Sequence, residues 1–155
     1  MLSLFGCGSK KLNIKDHLGS GEKTLLADYY ERTVGLEEEQ PYYELVMYTY
    51  SDTEVLLEKY EDGGTDHETV TLYHVPADEA QGVFDAINDV GMASWNGRKG
   101  NICIDGIAYI CKFPDGKGDY IRVSSDDMPE DGAKSFYAVK ASMLVLMKDE
   151  YLAED

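Results

Sequence analysis

The sequence predicts one α+β domain, an antiparallel sheet of about five strands with helices mainly on one face. Three observations carry this reading. Between Tyr42 and Val75, apolar and polar residues alternate in runs joined by connections too short for a crossover, so consecutive strands pair antiparallel. Around residues 76–91 and 126–151 the apolar spacing becomes helical. A length of 155 residues suits one core.

In chain order, Ser20 can cap a helix running to about Val34, with Leu25, Leu26, Tyr29, Tyr30 and Val34 at helical spacing and Gly35 as its stop. The acidic run Glu37-Glu38-Glu39 then leads to Pro41. Tyr42–Tyr50, Thr53–Tyr60 and Thr69–Val75 read as three strands of a meander, separated by Ser51-Asp52 and by a loop rich in glycine and acids. Pro76 opens a helix with Asp78 and Glu79 at its positive end; Ala80, Val83, Phe84 and Ile87 form its apolar stripe, and Gly91 ends it. Asn101–Phe113 and Asp119–Ser124 return to strand around the turn at Pro114-Asp115-Gly116. A last helix opens near Asp126 and Pro129 and runs to about Tyr151, with Phe136, Val139, Met143, Leu146 and Met147 inward. The expected order is α-β-β-β-α-β-β-α over residues 20–155, with residues 1–19 as a tail or tether.

Fourteen basic residues against thirty acidic ones give a net charge of −16. Such a surface repels phosphate backbones and anionic headgroups, which argues against nucleic acid and against membrane insertion and favours a protein partner with a basic face. Tyrosine supplies 12 aromatics against one Trp and four Phe. That bias suits a half-exposed sheet or a recognition surface, because the ring can be buried while the hydroxyl stays wet.

The stretch Met92–Gly100 holds the only tryptophan and an adjacent basic pair, which makes Trp95, Asn96, Arg98 and Lys99 the candidate binding residues. Arg98 and bent glycine backbone could receive a carboxylate, with Trp95 as a flat anchor; alternatively Trp95 plugs the end of the core while Asn96-Gly97 turns the chain. Asp62, Asp66, His67 and Glu68, and separately Asp115 and Asp119, sit in glycine loops without the calcium-loop spacing, so both read as solvated turns and no metal or cofactor is expected. Of His17, His67 and His74, only His74 alternates with apolar neighbours; paired with Cys103 it is the one conceivable nucleophile–base couple. No catalytic motif accompanies it. Cys103 and Cys111 would approach each other if Asp105-Gly106 forms a hairpin, as a disulfide or as two reduced core thiols.

The opening Leu4-Phe5-Gly6-Cys7, followed by Gly8-Ser9-Lys10-Lys11, resembles the lipobox that ends a bacterial lipoprotein signal. The resemblance implies a start upstream of Met1, lipid attachment at Cys7, a tether to about Ser20 and a lipid-anchored cell-surface location. Taken as it stands, the same segment has no basic n-region and too short an apolar run for a signal peptide, which implies the cytoplasm. The function expected is a non-enzymatic protein-binding or accessory module. The alternatives are a surface lipoprotein binding an extracellular ligand and a small enzyme using an unrecognised His/Cys site.

Overall fold

Six strands form one antiparallel sheet in the computed structural model, which describes residues 11–33, 42–96, 106–126, 128–129 and 131–154. They are β1 (Leu25–Thr33), β2 (Tyr43–Thr49), β3 (Glu54–Glu61), β4 (Thr69–Pro76), β5 (Ile107–Pro114) and β6 (Tyr120–Ser124), in the spatial order β4-β3-β2-β1-β5-β6. Helix α1 (Ala77–Asp89) follows β4, and α2 (Ala133–Leu144) follows β6. The α+β class and the antiparallel sheet are as expected, with one strand more and no opening helix.

The helix expected over 20–34 is replaced by β1, which lies in the middle of the sheet. β1 is paired along both edges, with β2 and with β5, so long-range packing rather than a local pattern decides which of its residues are buried. A register irregularity between Leu25 and Ala27 also turns Leu26 and Ala27 both out of solvent. Two consecutive buried residues followed by Tyr29 imitate helical spacing. Beyond that point the period of two is plain: Tyr29 and Glu31 are buried while Asp28, Tyr30 and Arg32 between them are half-buried on the other face.

One core lies between the sheet and both helices. Tyr29, Leu45, Leu57, Phe113 and Val123 from the strands meet Ala80, Val83, Phe84 and Ile87 of α1 and Phe136, Val139 and Met143 of α2. Gly91 ends α1 as expected, because its φ of +64° is left-handed backbone that glycine adopts without a Cβ clash. The last helix is shorter than expected at both ends. Gly132 precedes its first residue in contact with Met128, and after Leu144 the hydrogen bonds tighten to the three-residue pattern (Leu146 N–H to Met143 O, 3.1 Å). That tightening swings Leu146 into the core and leaves Val145 in solvent. The chain then returns along β4, where the Ala153 N–H donates to Leu72 O at 2.9 Å.

Part of the segment assigned to a tail packs on the domain. Leu12 and Ile14 are buried, the latter around a 3-10 turn at Ile14–Asp16. Asn88 bonds both the N–H (3.1 Å) and the carbonyl (3.2 Å) of Leu12, and the Ile14 N–H donates to Gln81 Oε1 at 2.8 Å. Side-chain amides of α1 thus act as a surrogate strand for this backbone. Burying Ile14 adds about 2 kcal/mol.

Candidate functional site on the open face of the sheet

The helices occupy one face of the sheet; the register fixes what stands on the other. From β4 to β6 one row reads Leu72, Glu58, Val46, Asp28, Lys112 and Arg122. The next reads Val70, Tyr60, Glu44, Tyr30, Ile110 and Ser124, and a shorter one His74, Leu56 and Tyr48. This face divides by chemistry. Its β2–β4 half is aromatic and aliphatic around acids, and its β5–β6 half carries Lys112 and Arg122 beside the buried Ile110 and Ser124.

On the β2–β4 half, Tyr50 is 59% exposed, Val70 48% and Leu72 38%. Tyr50 packs on His74 with ring centroids 4.3 Å apart. Glu58, between Val46 and Leu72 in the register, is buried and accepts from Tyr60 Oη at 2.7 Å and from Lys23 Nζ at 3.2 Å. Lys23 also lies 4.1 Å from the centre of the Tyr48 ring, so one lysine neutralises the carboxylate and caps the aromatic. Burial and the Glu58 carboxylate raise the Tyr60 hydroxyl well above its ordinary value, so it stays a donor throughout the physiological range.

Asp28 and Glu44 form an acid pair in the middle of this face. Burial, then the adjacent Glu44 charge and hydrogen bond, push Asp28 up to about 8, against the opposing pull of Lys112 and Arg122. Burial raises Glu44 as well; the hydrogen bond from Asp28 offsets part of this, and Glu58 and Glu68 add repulsion. At neutral pH the two therefore share one proton, held on Asp28 and donated to Glu44. Asp28 Oδ1 is out of contact with solvent and has no hydrogen-bond partner among the described residues. Holding that proton, the pair puts one negative charge fewer on this face than two ionised carboxylates would.

The helix side buries an acid in a different way. Glu31 accepts from Tyr29 Oη (2.7 Å), Tyr42 Oη (3.0 Å) and Lys140 Nζ (2.7 Å), which ties α2 to β1. Burial pulls Glu31 up, but these three donors outweigh it and hold the carboxyl below its ordinary range. The hub is structural.

Of the candidate binding residues, Trp95 is only 5% exposed and packs on Phe136 with ring centroids 5.6 Å apart. Its indole fills the end of the core. Asn96 is exposed, its N–H on Ala93 O at 3.3 Å, while Arg98 and Lys99 lie outside the described residues, as do Cys7 and Cys103. His74 stands on β4, with three strands between it and the β5 that follows Cys103 in the chain. Cys111 is a free, buried thiol on the helix side of β5, raised well above its ordinary value by burial and unsuited to act as a nucleophile. The acidic loops turn on themselves: the Glu68 carboxylate accepts from the Gly64 N–H at 3.1 Å, and Asp115 Oδ1 accepts from the Lys117 and Asp119 N–H groups at 2.6 and 3.0 Å. Among the described residues, no group of three or more His, Cys, Asp or Glu is placed to hold a metal ion. No helix there is long and apolar enough to cross a membrane.

Asp28, Glu44 and Glu58 were not among the candidate residues. The available signal was the alternation Asp28, Tyr30, Arg32, which reads as a strand face once β1 is seen as a strand. Compared with protein families, curated proteins and solved structures, the chain matches none.

Proposed function

We propose that this chain is a non-enzymatic protein-binding or accessory module that engages its partner through the β2–β4 half of the open sheet face. The observation that supports it most is the exposed cluster of Tyr50, Val70 and Leu72 around His74, Leu56 and Tyr60. Aromatic and aliphatic side chains grouped on a flat, regular surface supply large contact area at low entropy cost, and the ion-paired Glu58 within it gives polar definition. The acid pair supports the same reading, since a face with one carboxylate neutralised desolvates more readily on contact.

The test compares Tyr50→Ser with Leu72→Ser against wild type in quantitative affinity capture, with urea denaturation as a control for folding. Both side chains are exposed, so the fold should be retained. The reading requires that specific partners fall at least tenfold in yield with both variants. Unchanged capture by a folded double variant overturns it.

A further inference from the structure

A groove of about 970 Å³ lies at the end of the sheet where β3 begins and β4 passes into α1. Ile14, Leu18, Pro76 and Ala77 line it with apolar surface. Its walls are preformed: the Ala77 N–H donates to Thr53 O at 2.8 Å, and the Gln81 side chain holds the Ile14 N–H at 2.8 Å. A groove braced in this way can accept a side chain without first paying to order itself.

Its rim is acidic. Asp52, Glu54 and Asp78 border it against the single cation Lys15. None of the three carboxylates belongs to an ion pair among the described residues, whereas Glu58, Glu61, Glu31 and Glu79 each do. Asp52 also borders a smaller cavity of about 250 Å³ with Tyr50 and Leu56, so the groove lies beside the exposed patch on the sheet. A second copy of the chain is a poor occupant, because two molecules of net charge −16 repel.

From this placement we infer that the groove takes a short segment of the partner carrying one apolar side chain flanked by lysine or arginine. The apolar side chain fills the space over Ala77 and Pro76 while the flanking cations meet Asp52 and Asp78. The inference rests on the reading of the chain as a protein-binding module and adds the chemistry of the partner. Because the charges lie on the rim, they govern encounter and salt dependence, and the apolar anchor governs residence.

The probe is a fluorescein-labelled five-residue peptide with a central leucine between two pairs of lysines, titrated into the full chain by anisotropy and by amide NMR. Two controls replace the leucine by serine or all the lysines by glutamate. Expected are saturable binding, amide shifts centred on Ile14, Leu18, Thr53 and Ala77, at least tenfold weaker binding of the serine peptide, and none of the glutamate peptide. An Asp52→Lys, Asp78→Lys double variant should lose at least tenfold in affinity, while Val145→Ser, exposed after the last helix and outside both surfaces, should lose less than twofold. Equal binding of the serine peptide, shifts centred elsewhere, or no binding overturns the inference. So does sedimentation showing that a second copy occupies the groove. If face variants abolish partner capture and groove variants do not, the groove assignment fails and the module reading stands. If neither set does, both fail.

Discussion

Replacing Asp28 by asparagine should stabilise the domain, and the gain should grow with pH. In the folded chain Asp28 holds its proton up to about pH 8, whereas in the unfolded chain it gives it up near 3.8. Between those values the native state binds more protons than the unfolded state, so the wild type loses stability as pH rises through the window. At full occupancy the slope is about 1.4 kcal/mol per pH unit, which sets a ceiling of about 4 kcal/mol between pH 5 and 8. Asp28 is only partly shielded and Glu44 can turn towards water, so a change of about 1.5 kcal/mol is expected. Asparagine keeps the shape, carries no charge and can donate its N–H to Glu44. Urea denaturation at pH 5, 6.5, 8 and 8.5 measures the effect; with m of about 2 kcal/mol/M, the difference in midpoint should widen by about 0.7 M across the series. General repulsion from the net charge affects both proteins and cancels in the difference. If Asp28 is instead an ionised partner of Lys112 and Arg122, the substitution destabilises at every pH, and the shared-proton account is refuted. A constant offset refutes it equally.

Two further substitutions test how the remainder is held. Glu31→Gln should cost about 2 kcal/mol at neutral pH, because it leaves Lys140 facing a neutral group in a largely buried site. The wild-type carboxyl is depressed in the folded state, so its contribution is present above pH 4.5 and is lost as pH falls through its lower folded value. Urea midpoints should accordingly fall less steeply below pH 4.5 in the variant than in wild type. Gly132→Ala should cost about 1–3 kcal/mol by thermal or urea melting: its Cβ would stand 2.5 Å from Met128 Cβ and 3.0 Å from Pro129 O. An alanine variant as stable as wild type would show that the turn before α2 can shift at no cost.

What could be read from the sequence divides along physical lines. Strands β2 to β4 and helix α1 were legible because short connections and periodicity agree there, and local signals sufficed. Strand β1 was not, because it pairs with β2 on one side and with β5, far along the chain, on the other. Its central place comes from those long-range neighbours, which bury one face and half-bury the other, and no local pattern records them. The docking of Leu12 and Ile14 was hidden for the same reason, since its partners are side chains of α1. Trp95 was legible as an unusual residue, yet the sequence left both its roles open; only Phe136, from the last helix, decides where the indole goes. The tyrosine bias did point to the sheet, and Tyr48, Tyr50 and Tyr60 stand on or beside its open face. Tyr42 instead serves Glu31.

The two faces of the sheet handle acids in opposite ways, and the difference bears on where a partner can bind. On the helix side, Glu31 keeps its charge because Lys140 and two tyrosines donate to it. On the open side, burial and the neighbouring Glu44 charge outweigh the pull of Lys112 and Arg122 on Asp28, and one of the pair retains a proton. An interior optimised only for stability would place an apolar or amide side chain at one of these positions. A surface that must alternate between water and a partner gains from the arrangement: the pair stays polar enough to remain wetted in isolation and carries one charge fewer when covered. In the register, Val46, Glu58 and Tyr60 stand between these acids and the exposed Val70 and Leu72, while Lys112 and then Arg122 follow Asp28 on the other side. The boundary between the two halves therefore passes through the protonated pair. A partner matched to the whole face would place apolar groups over β3 and β4 and acceptors over β5 and β6, and its cations would lie beyond the β2–β3 turn, at Asp52.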